Sequence, residues 1–229
     1  MDTSHSEYIR SMTDNRKSGI ALIAGSVGGI VTMAIHPTAG GALTVAQVER
    51  LAVVSGIAHG IALVSLVVLF LGACGLARGI AAADRLSFAG IVIFGFACVA
   101  IFIAATVSGF IIPAIIKRMA QDAPGNAHSW QIVIDGIFQI NQAFAQIYSV
   151  AASLAVILWS VSVLWNGGLS RGVSIYGCVI SGLIILGIAV GHLRLNVHGM
   201  AAVWLGQAIW FIVAGSQMCS TRASGLSTS

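Results

Sequence analysis

Six stretches of this chain run for 18 to 31 residues without a single Asp, Glu, Lys or Arg: 18–35, 51–77, 86–116, 143–165, 172–191 and 199–219. A helix crosses a ~30 Å hydrocarbon layer in ~20 residues, so each stretch is long enough to span a bilayer. Backbone groups inside lipid find no water and must pair within the protein, which leaves helices and closed barrels. A barrel would show alternation over roughly ten-residue segments, and none is present. The expected fold class is therefore all-α, a polytopic integral membrane protein with a six-helix transmembrane bundle over 18–219. A polar leader over 1–17 and a polar tail over 220–229 flank it.

Composition excludes the competing classes. Only 8% of the 229 residues are charged and 58% are hydrophobic, against about 25% charged in ordinary soluble domains, so a water-facing shell cannot be built. The net charge of +4 is scattered, with no basic block, and nucleic acid is excluded as a partner. Cys74, Cys98, Cys178 and Cys219 lie in or at the end of apolar runs without metal-type spacing, which speaks against a disulfide framework. The first run follows a polar leader of seventeen residues and reads as an uncleaved anchor.

Positive residues orient the chain. Arg10, Arg16, Lys17, Arg78, Arg85, Arg171 and Arg222 fall on one side, against Arg50, Lys117, Arg118 and Arg194 on the other. Seven against four predicts both termini in the cytoplasm of a plasma membrane. Compact, Ala- and Gly-rich spans with short loops point to a bacterial inner membrane.

Several helices are expected to outrun the bilayer. Thr44 and Gln47 have the form of a capping box, so the second helix should begin before its apolar run. The third run would measure about 46 Å at 1.5 Å per residue, and Pro113 is the residue able to break it. The fourth helix is expected to run from Trp130 to Trp165 behind a cap at Ser129. Gly25-x-x-x-Gly29, Gly56-x-x-x-Gly60, Gly75-x-x-x-Gly79 and Gly187-x-x-x-Gly191 predict close helix approach. Trp130, Trp159, Trp165, Trp204 and Trp210 read as interfacial or packing aromatics.

Polar residues inside such runs are the functional candidates, because ionisable and amide side chains shun lipid. His36, His59, His192 and His198 all fall near the outer side, His59 roughly 12 Å into its run at 1.5 Å per residue. On the fourth helix Asp135, Gln139, Gln142, Gln146, Ser149 and Ser153 recur at spacings of three and four and form a polar seam. Gly25, Gly29, Thr32 and His36 share a face of the first helix, Ser174, Ser181, Ile185 and His192 one of the fifth. Together these predict an outward-facing pocket lined by His36, His59, Gln142, Gln146, His192 and His198, with Asp135 and Arg194 at its mouth.

Converging histidines with a carboxylate suit a divalent metal or a haem, since imidazole ligates both. Two-haem electron transfer would need histidines near both faces, and the inner half offers none, which leaves one outer haem, a quinone or a small solute. The Ser55-x-x-x-His59 pair resembles one motif of the membrane hydrolase superfamily that includes alkaline ceramidases and progestin-type receptors. That resemblance covers five residues and implies a zinc-dependent lipid hydrolase. Those proteins have seven spans and a late His-x-x-x-His pair, whereas His192 and His198 are six apart. Two other readings stand beside the binding pocket: a transporter, weakened by third and sixth runs read as wholly apolar, and a non-catalytic subunit whose seam packs against a membrane-protein partner. A binding role is favoured over an enzyme. The lipid bilayer is the assured partner, and a small-molecule ligand is the expected further one.

Overall fold

The computed structural model describes residues 3–37, 45–80, 84–122 and 126–220. It is all-helical, with six helices long and apolar enough to cross a membrane among the described residues. The elements are α1 (Thr3–Ile35), α2 (Val45–Ile80), α3 (Arg85–Thr106), a π-helical turn (Val107–Ile111), α4 (Ile112–Gln121), α5 (Ala127–Asn166), α6 (Arg171–Ala189) and α7 (Val197–Ser220). The π turn joins α3 and α4 into one span, Arg85–Gln121. Each span packs on its sequence neighbours, and α7 closes the ring on α1.

Helix lengths fix the membrane frame. The 19 residues of α6 measure about 29 Å at 1.5 Å per residue, which matches the hydrocarbon thickness. The 40 residues of α5 and 36 of α2 measure about 60 and 54 Å. The next helix begins five residues after the end of α2 and after the end of α5, so the length of these helices in excess of α6 extends toward the opposite end of the bundle. The helix α1 begins at Thr3 and continues into the first span. Thr44 of the expected capping box lies outside the described residues. The expected cap at Ser129 is replaced: α5 starts at Ala127 behind Asn126, and Trp130 Nε1 donates to Asp122 Oδ2 at 2.7 Å.

Large rings fill the half of the bundle nearer the termini. Phe94, Trp159, Trp210 and Phe211 are fully buried and meet with ring centroids 5.2 to 6.2 Å apart, the range of favourable aromatic pairs. Trp159 Nε1 donates to Ser87 O, and Ser87 Oγ to Ala77 O, which ties α5, α3 and α2 together. Asp84 caps α3 through Leu86 N and accepts from Ser162. That hydroxyl holds the Asp84 carboxyl below its usual range.

Backbone approach is closest where side chains are absent. A Cβ at Gly19 would lie 2.5 Å from Gly215 O, one at Gly25 2.6 Å from Leu69 N, and one at Gly72 2.6 Å from Leu22 N. Of the predicted pairs, Gly25 and Gly29 are both in contact, whereas Gly60 meets nothing within 4 Å. Gly191, at φ +74°, ends α6 in the left-handed region that favours glycine. The sixth span is not wholly apolar. Gln207 on α7 is buried, accepts from Tyr148 Oη at 3.0 Å and donates to Ser153 Oγ at 3.1 Å.

Candidate functional site

Toward the far side the rings give way to Ala62, Ala104, Ala105 and Ala145, and a cavity of about 350 Å³ opens between α1, α2, the α3 to π-turn segment, α5 and α7. Its wall is mostly apolar. Polar character comes from His36, His59, Asn141 and Gln142, with Thr32, Ser108 and Asn196 nearby.

The seat of His59 follows from a proline. In the π turn Ile112 N bonds Val107 O, five residues back, and in that register the partner of residue 113 would be Ser108 O. Pro113 has no N–H to give, so it bends no span apart but leaves that carbonyl free. Ser55 Oγ on α2 donates to it at 3.2 Å. One turn on, His59 Nδ1 donates to Ser55 O at 2.8 Å. Gly109 makes room for the ring, because a Cβ there would fall 2.4 Å from His59 Cβ. The break expected at Pro113 is therefore a π turn that grips α2.

His36, just past the end of α1, is half-buried and reaches His59 edge to face, with ring centroids 5.0 Å apart at 70°. Its Nδ1 donates to Pro37 O at 3.1 Å. Burial lowers the pKa of His36 from its ordinary value, with the Pro37 bond opposing. Both rings therefore hold their proton on Nδ1, since a carbonyl can only accept. In each, Nε2 carries the free lone pair.

The remaining expected site residues distribute unevenly. Gln142 is half-buried in the cavity wall. Gln146 is a correction: it is exposed and outside the wall, because four residues on turn it about 40° farther round the helix, past the shoulder where Gln142 sits. Near the far boundary headgroups can solvate it. Asp135 is exposed on the projecting part of α5, where Gln131 Nε2 donates to it at 2.8 Å. His192, Arg194 and His198 are also exposed and off the wall, although Leu195, Asn196 and Val197 of the same segment line it. The four-histidine group is thus not brought together. Among the described residues no three His, Cys, Asp or Glu side chains gather in a way that could hold a metal ion.

The same geometry bears on haem. Two imidazoles sharing an iron face each other across the macrocycle, whereas His36 and His59 touch directly. Nor does the hydrolase motif extend further, since Ser55 serves as the acceptor that orients His59 and no aspartate among the described residues joins them. Asn141 is the residue sequence reasoning missed. It is buried, lines the cavity and has an Oδ1 without a hydrogen-bond partner. Its signal was the small-residue face it shares with Ala145, Ser149 and Ala152, which are all buried. Comparison with protein families, curated proteins and solved structures finds no match, so function has to be argued from this geometry.

Proposed function

We propose that this chain is a multi-pass protein of a bacterial inner membrane, with both termini in the cytoplasm. It binds a small amphiphilic molecule in the outward-facing cavity, where His36 and His59 hold the molecule's polar end. The reading rests on one observation, a contacting pair of histidines, each with its Nδ1 on a backbone carbonyl and no Nε2 partner among the described residues, in the wall of a mostly apolar cavity. Its volume of about 350 Å³ falls in the range of small-molecule pockets, which are typically apolar with a few placed polar groups. Both histidines sit near the far membrane boundary, where an amphiphile entering from the bilayer keeps its polar end. The exposed residues Asp135, Gln146, His192, Arg194 and His198 belong to the rim and headgroup layer in this reading, not to the binding wall.

The test compares the wild-type chain with Ala105→Phe, which adds a ring to the cavity wall from α3 and leaves both histidines in the sequence. Both are purified into nanodiscs, extracted with organic solvent and analysed by mass spectrometry. A small amphiphile present in proportion to wild-type protein and missing from the filled variant supports the proposal. Identical extracts refute it.

A further inference from the structure

The cavity's polar groups are unequal in kind. His36 and His59 each direct their ring proton at a backbone carbonyl, leaving two Nε2 lone pairs. Thr32 Oγ1 donates to Gly28 O at 3.0 Å and has only lone pairs left to offer. Asn141 Oδ1, on a residue 8% exposed, accepts from nothing. Trp204 Nε1, a donor at the base of the wall, is turned to Ser26 O. The histidine pair and Asn141 Oδ1 are therefore acceptors with no donor among the described residues, while the donors in the wall are the carboxamide N–H groups of Asn141, Gln142 and Asn196 and the Ser108 hydroxyl.

We propose that the cavity selects ligands carrying hydroxyl donors, phenols and hydroquinones above all, over the corresponding ethers, ketones and quinones. The inference rests on the reading of the cavity as an amphiphile site and names the chemical class it takes. A buried acceptor that loses water without gaining a donor is costly, so a ligand with an O–H group relieves His36, His59 or Asn141. A carbonyl or ether placed there sets lone pair against lone pair. The aromatic ring of a phenol suits the rest of the wall, which is mostly apolar and includes alanines, Met33, Ile101, Phe138 and Trp204. Burial keeps His36 neutral, so the acceptor character persists at ordinary pH.

The experiment uses the full chain in nanodiscs with two probes that differ by one proton donor, 4-butylphenol and 4-butylanisole. Empty nanodiscs and Ala105→Phe correct for partitioning into lipid, and binding is measured by titration calorimetry. One hydrogen bond corresponds to a preference of about three- to tenfold, and the phenol should bind more tightly by at least the lower figure. Specific binding of both probes with equal affinity overturns the inference and leaves the cavity proposal standing. Preference for the anisole overturns it as well. If neither probe binds above the filled variant, the amphiphile site itself fails and takes the inference with it. Nitrogen NMR of ¹⁵N-histidine-labelled protein gives a second reading that needs no variant: His59 should show its proton on Nδ1, and a proton on Nε2 would contradict the argument.

Discussion

Replacing Gln207 with Met keeps the length and most of the volume of a side chain at 1% exposure while removing both of its hydrogen bonds to α5. Tyr148 Oη, itself buried, then has no acceptor, and Ser153 Oγ loses its donor. Hydrogen bonds between membrane helices contribute about 0.6 kcal/mol on average and up to about 1.7. Two of them give an expected loss of about 1–3 kcal/mol. For a chain of this size ~1 kcal/mol corresponds to about 2–4 °C, so the midpoint of thermal unfolding should fall by roughly 2–12 °C.

Thermal unfolding in detergent, followed by the increase in reactivity of the half-buried thiols, measures the shift, and Tyr148→Phe completes a double-mutant cycle. The bond between the two side chains predicts that Gln207→Met costs less when Tyr148→Phe is already present, by about 0.6–1.7 kcal/mol. A variant as stable as wild type, or strictly additive effects, would show that the amide does not link α5 to α7.

Gly19→Val and Gly215→Val each push a Cβ to within 2.6 Å of a carbonyl on the opposite helix, so both should lower thermal stability sharply. Gly60→Ala, with open space around it, should leave the midpoint within a degree or two. Acidification should release 4-butylphenol. Burial depresses the His36 pKa, so its contribution is complete above about pH 6.5 and is lost as pH falls through the lowered value. His59 is the titratable group facing it, while Glu49, Lys117, Asp135 and Arg194 are exposed outside the cavity wall. Calorimetry between pH 7.5 and 5 checks the sign, and tighter binding in acid would reverse the assigned roles. For the topology, a reporter enzyme fused after Ser220 should be active in the cytoplasm, and one inserted near Asp122 should be active outside. The opposite pattern would invert the sidedness of the cavity.

The bundle was legible because lipid imposes one rule on every residue of a span, and uncharged length alone obeys it. All six expected stretches fall on helices of the bundle, although the fifth overruns the end of α6 by two residues and α1, α2 and α5 begin well before their apolar runs. The meeting of His36 and His59 was legible for a related reason: they lie near the same end of neighbouring helices. The other half of the site was not. Tracking polar side chains along α5 led to Gln146, whereas burial follows the small residues that let α5 approach its neighbours, and that face carries Asn141. The five steps from Asp135 to Ser153 cover 18 residues, so the seam follows the 3.6-residue repeat and keeps to one face of α5. Its ends differ in depth and not in direction: Asp135 and Gln139 are exposed on the projecting part of α5, whereas Ser149 and Ser153 are buried farther along it. The role of Pro113 was hidden because a missing donor has consequences only where a second helix, here with Ser55, comes to meet the orphaned carbonyl.

The cavity itself is the consequence of a size gradient along the bundle axis, aromatic rings in one half and alanines in the other. Fully enclosed, a void of about 350 Å³ would cost on the order of 8 kcal/mol at ~24 cal/mol per Å³, and because this cavity is open its cost is a part of that. Larger side chains at Ala62, Ala104 or Ala105 would remove that cost, so a chain under pressure for stability alone has every reason to fill the space. This makes Ala105→Phe informative about stability as well as binding. Stripped of bound amphiphile, the variant should unfold at a higher temperature than wild type, because the ring occupies what is otherwise void. With saturating 4-butylphenol the order should reverse or close, because only wild type gains a ligand and ligand binding stabilises the folded state by mass action. If the variant is less stable in both conditions, the space is already filled by packing that the Phe disrupts, and the region is structural core rather than a binding site.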